Sequence, residues 1–140
     1  MILYHYTTVG HLPEILEDGY LDTTESNMSR TRGHAGPDVC WLTADSDPVT
    51  ACGQWRYVPL APGLTVDKGR IRFAVDVAFR DVHRWRDWVR ARGIHPEWAR
   101  SLARAGGSGQ WFVVQRRVPR TEWVEVTDTV TGEVYDLTQR

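Results

Sequence analysis

Cysteine is scarce in this chain. Cys40 and Cys52 are the only two and lie twelve positions apart, a pattern that fits neither a disulfide scaffold nor a four-ligand zinc site. Both are expected as reduced, small, buried side chains. Lysine is scarcer still: sixteen of the seventeen basic residues are arginine. Arginine suits bidentate contact with phosphate or carboxylate, but so general a bias also follows from genome composition, and no partner is read from it. No stretch approaches the roughly 18 apolar residues of a membrane span, and the first residues lack a basic segment followed by an apolar run and a cleavage site. The expectation is a soluble, cytoplasmic protein with no membrane partner. GxGxxG, Walker-type, HExxH and GxSxG motifs are absent, and the histidines have no metal-like spacing, so no metal is expected. Repeats, low-complexity tracts and linkers are absent too. An apolar fraction of 41 % with seven tryptophans is enough to build one core, so residues 1–140 read as a single domain and a monomer. The net charge of −1 advertises no polyanionic partner, although a near-neutral sum can hide a local basic face.

What is present is a mixture of the two hydrophobic periods. Residues 2–6 read as a strand; Val9, Leu12, Ile15 and Leu16 then recur at helical spacing until Gly19 supplies a stop. Pro13 places the regular helix from about Leu12, after a loose turn over 8–11. Tyr20 to Asp22 makes a short strand. The stretch "TTESNMSRTRGHAGPD" has neither period and reads as a long loop, a kind of segment that is often functional. Strands are expected at "VCWLT" (39–43), "RIRFAVDVAF" (70–79), "QWFVVQR" (110–116) and "EWVEVTD" (122–128), with a last one near Val134 after a turn at Thr131-Gly132. Helices are expected at "VTACGQW" and, as two pieces separated near Gly93 to Pro96, between 81 and 105. The order of elements is that of an α+β domain, with two packed sheets favoured over one doubly wound sheet.

His5 is the unusual residue in the first strand. Alone, a strand histidine reads as a core residue bonded to a backbone carbonyl. Its context says more. "LYHYTTVGHLPEILEDGYL" resembles the first segment of the ADP-ribosyltransferase fold, most closely the branch of DarT-type toxins and related small bacterial and phage proteins. "DVCWLTADSDPVTACGQW" is similar to the second segment and "SGQWFVVQRRVPRTEWVEV" to the third, in the expected order. The resemblance implies a split β-sandwich of two small sheets with short helices. It also implies NAD as substrate. His5, flanked by Tyr6 and Thr7, would bond the ribose next to adenine; Trp41, with Thr43 on the same strand, would pack against nicotinamide. Gln110 would stand at the position of the catalytic glutamate. Trp41 replaces the usual tyrosine, keeping an aromatic face. Gln110 replaces glutamate, so it accepts a hydrogen bond but brings no negative charge to a cationic transition state. Glu122 and Glu125 are the alternative carboxylates, although period 2 can turn them away from Gln110.

Arg30 and Arg32, in the polar loop, are catalytic candidates because DarT-type relatives use an arginine from this part of the chain; two solvated arginines are the plain alternative. Trp85, Trp88 and Trp98 read as helix-to-sheet packing and Trp111 as a core residue. The arginines around them could serve single-stranded nucleic acid, but a solvated helix surface is the favoured explanation. Two functions follow. One is mono-ADP-ribosyl transfer from NAD to a nucleic-acid or protein acceptor, in a toxin, phage or defence setting. The other is a binding module of the same fold, recognising NAD, ADP-ribose or nucleic acid without chemistry.

Overall fold

The computed structural model describes residues 1–24, 38–93, 96–104 and 108–138. Strand β1 (Ile2–Thr7) ends where the Thr8 hydroxyl accepts the His11 N–H at 3.3 Å and caps a single 3₁₀ turn, Val9–His11. Helix α1 (Leu12–Asp18) follows, with Pro13 in its first turn, where no backbone donor is lost. Gly19 ends it at φ 77°, its N–H on the Ile15 carbonyl at 2.9 Å. That left-handed residue reverses the chain into β2 (Tyr20–Leu21). The remaining elements are β3 (Cys40–Thr43), α2 (Pro48–Cys52), β4 (Tyr57–Ala61), β5 (Leu64–Asp67), β6 (Ile71–Asp76), β7 (His83–Arg84), α3 (Trp85–Ala91), α4 (Pro96–Ala103), β8 (Trp111–Val114), β9 (Val118–Pro119) and β10 (Trp123–Asp128).

Six strands form one antiparallel sheet in the order β10-β6-β1-β3-β8-β7. Two-stranded ribbons, β2-β9 and β4-β5, complete the α+β architecture. The expectation of two small sheets is met only in part: β1 is paired on both edges, by β6 and β3, within the six-stranded sheet that also holds β3 and β8, while β2 of the first quoted segment and β9 of the third pair in a separate ribbon. The β4-β5 hairpin was not legible. Its strands are short and mostly exposed, so neither period develops, and Gly63 at φ 77° makes the turn. Near Val134 there is a single bridge to Thr127 in place of a strand.

Alternation divides the sheet into two faces. One carries Leu3, Cys40, Leu42, Ile71, Phe73, Val75, Phe112 and Val114, all buried against Leu12, Leu21 and Val118 of α1 and the β2-β9 ribbon. The other carries Val39 and Val113 against Trp85, Trp88 and Val89 of α3, with Trp41, Trp111, Ala99 and Ala103 packed around them. Trp85 and Trp88 therefore pack helix to sheet as expected; the Trp98 side chain lies outside the described residues.

Candidate functional site

His5 sits in the central strand β1, on the face that carries Leu3 and Phe73. Its Nδ1 lies 2.8 Å from the Trp41 carbonyl oxygen, across the β1-β3 boundary. A carbonyl only accepts, so Nδ1 carries a proton. Phe73 meets the ring edge-on, with centroids 6.5 Å apart. Burial pushes the imidazole pKa below 6.5; the carbonyl bond opposes this shift and the charge of His11 adds to it. The ring is thus neutral at pH 7, and its Nε2 is a lone-pair acceptor without a partner among the described residues.

Thr7, two residues on and on the same face, is 8 % exposed, and its Oγ1 lies 3.2 Å from His11 Nδ1. His11 was missed in the sequence, where the turn residues 8–11 read only as a helix entrance; its spacing of four from Thr7 was the available signal. His5, Thr7 and His11 make one polar cluster at the C-terminal half of β1.

The other expected NAD contacts lie elsewhere. Tyr6 points to the opposite face, where its hydroxyl donates to the Asp45 carbonyl at 2.9 Å and burial raises its pKa. Arg72 shares that side, donating to the Ser46 carbonyl at 2.7 Å and covering the Tyr4 ring. Together they pin the loop after β3. Thr43 is buried, and its hydroxyl accepts the Asp45 N–H at 3.1 Å, so it shapes the turn into α2. Trp41 is half-buried on the same face as Thr43, with Trp85 at 6.3 Å and Trp111 at 6.1 Å between ring centroids. Its ring therefore does not share a face with His5. The cause is register: Tyr4 pairs with Thr43, so odd positions of β1 and of β3 project to opposite sides.

Gln110 closes a 3₁₀ turn, Ser108–Gln110, at the start of β8; its side chain is exposed and its carbonyl accepts the Ala44 N–H at 2.9 Å. The β1, β3 and β8 strands are neighbours, which sets Gln110 about 10 Å across the sheet from β1. Neither alternative carboxylate stands beside it. Glu122 is held by Arg116 at 2.6 and 2.9 Å, at the opposite end of β8, and Arg116 also reaches Asp81 at 3.1 Å. Glu125 lies on β10, four strands from β8, and accepts the Thr127 hydroxyl at 2.8 Å. Arg30 and Arg32 lie outside the described residues; Thr24 and Val39 exchange two backbone hydrogen bonds, 2.8 and 2.9 Å.

Among the described residues no group of acidic, histidine or cysteine side chains is arranged to hold a metal ion. Nor is any helix long and apolar enough to cross a membrane. No protein-family model, curated protein or solved structure matches this chain.

Proposed function

We propose that this protein binds NAD in an ADP-ribosyltransferase-like fold and transfers ADP-ribose to a nucleic-acid or protein acceptor. The observation that carries the reading is His5: a neutral imidazole in the middle strand, its tautomer set by the Trp41 carbonyl and its Nε2 left as an acceptor. A ribose hydroxyl is the donor that such an atom suits. The adjacency of β1, β3 and β8 adds support, since these strands hold the three segments whose sequences resemble the family.

In this reading His5 and Thr7 fix the adenosine-side ribose, and the Gln110 side-chain carbonyl accepts a hydrogen bond from the 2'-hydroxyl of the other ribose. The bond between that ribose and nicotinamide breaks, with the electron pair leaving on nicotinamide. The acceptor nucleophile forms the new bond to the anomeric carbon and gives up its proton. Gln110 orients the sugar without adding negative charge, which forgoes a stabilisation worth several kcal/mol in a dry site. The placement of Glu122 and Glu125 away from Gln110 favours a second reading, a module that binds NAD or ADP-ribose without chemistry.

Labelled NAD incubated with the protein, alone and with DNA, RNA or cell lysate, separates the two: nicotinamide release supports transfer, and NAD binding with no release in any mixture leaves the module. His5→Ala is expected to weaken NAD binding severalfold or more with an unchanged thermal transition. Unchanged affinity would return His5 to a packing role. Gln110→Glu is expected to raise NAD hydrolysis.

A further inference from the structure

The turn that follows β1 does not need the His11 imidazole. The hydroxyl and the carbonyl of Thr8 both accept the His11 N–H at 3.3 Å, and these bonds use a backbone donor that any residue except proline supplies. His11 has helical backbone angles, φ −84° and ψ −18°, and its side chain makes no cap bond to α1. It is exposed, a setting in which alanine favours a helical backbone more than histidine does. Local structure therefore gives no reason for a histidine here.

The side chain reaches back instead. Its Nδ1 lies 3.2 Å from Thr7 Oγ1, four positions earlier, on the strand that carries His5. Thr7 is 8 % exposed, and His11 is the hydrogen-bond partner of its hydroxyl among the described residues. The imidazole is also close enough to His5 for its charge to act on that ring.

A threonine hydroxyl has one hydrogen and two lone pairs, so the direction of the His11 bond decides what Thr7 offers a ligand. If Nδ1 accepts, the Thr7 hydrogen is consumed and only lone pairs are left. If Nδ1 carries a proton and donates to Oγ1, the Thr7 hydrogen is free to point elsewhere. His5 Nε2 is an acceptor only, because Nδ1 of that ring donates to the Trp41 carbonyl. A donating His11 thus makes the pair one acceptor, His5 Nε2, and one donor, the Thr7 hydroxyl. Two neighbouring sugar hydroxyls match that pair, one giving its hydrogen and the other receiving one.

We propose that His11 is a positioning residue of the His5–Thr7 site: its Nδ1–H holds Thr7 Oγ1 and turns the Thr7 hydrogen toward the ligand, so that the site takes the vicinal diol of a ribose. The proposal rests on the reading of His5 and Thr7 as sugar-binding residues. It adds a third residue, which touches the ligand only through Thr7.

The test is calorimetric titration of the full chain with NAD and, separately, with ADP-ribose at one fixed pH, beside thermal melts. His11→Ala is expected to melt within about 3 °C of the parent, as an exposed helical substitution should, and to bind both ligands at least about fivefold more weakly. His11→Asn, whose side-chain amide can stand where Nδ1 stands and donate to Thr7, is expected to recover affinity to within about twofold of the parent. Thr7→Val is expected to weaken binding as well, and the double variant T7V/H11A to bind no more weakly than Thr7→Val alone, because His11 then has no hydroxyl left to orient. Additive losses in the double variant overturn the proposal, since they make His11 act independently of Thr7. Unchanged affinity in His11→Ala, no recovery in His11→Asn, or loss of the cooperative melt in His11→Ala overturns it too. A parent that binds neither NAD nor ADP-ribose overturns the reading at His5 together with this inference, whereas binding kept by His11→Ala overturns the inference alone.

Discussion

His5 has a consequence for pH that follows from its bonding. The unfolded imidazole titrates near 6.5 and the folded one lower, so the unfolded chain binds more protons as pH drops below 6.5. Stability is accordingly full above 6.5 and falls toward the folded pKa. The melting temperature should decline across that window, and His5→Gln should flatten part of the decline; identical slopes would argue against a buried neutral ring. If His5 holds a ribose as proposed, NAD affinity should fall over the same range, because a protonated Nε2 no longer accepts. Asp128 has the opposite sign. It is 3 % exposed, and the bond from Arg70, reinforced by the backbone N–H groups of Val130 and Thr131, holds its pKa at about 2 against an ordinary 3.8. Its contribution is complete above about pH 4 and is lost as pH falls through 2. Asp128→Asn should cost roughly 2–3 kcal/mol at neutral pH by chemical denaturation and remove this acid component.

At the scale of elements, the α1-to-β2 reversal depends on one backbone conformation. A Cβ on Gly19 would meet nothing within 4 Å, so Gly19→Ala should cost only the left-handed strain, about 1 kcal/mol. Helix α3 depends instead on volume. Trp85 is 2 % exposed and packs on Trp41 and Trp111, so Trp85→Ala should cost roughly 3–5 kcal/mol. Its indole N–H has no partner among the described residues, however, and Trp85→Phe removes that donor along with part of the ring. The phenylalanine variant should therefore retain most of the stability, with urea midpoints ordering the three proteins. The α1 boundaries, both pieces of 81–105 and the segments around β1, β3, β6, β8 and β10 were legible because their apolar residues keep one period. The β4-β5 hairpin and the two-residue strands were not, since so few residues carry no measurable period and pairing is decided by distant partners.

For the whole molecule, the sheet is completed by chain after β10. Arg120 donates to the Leu137 carbonyl at 2.6 Å, the Tyr135 N–H bonds Val126, and Tyr135 and Leu137 pack on the larger core. Truncation after Gly132 should destabilise the domain by about 3 kcal/mol, read as a lowered urea midpoint. The local sequence by itself determined the state of the longer elements, α1, α3, β1, β3, β6, β8 and β10, because side-chain period and turn residues act over a few positions. It also singled out His5. Tertiary structure decided that β1 is paired on both edges, that Tyr4 faces Thr43 and so turns Trp41 away from His5, and that Glu122 is engaged by Arg116. Those outcomes depend on register and on contacts between residues far apart in the chain, and neither is encoded in any one stretch of it.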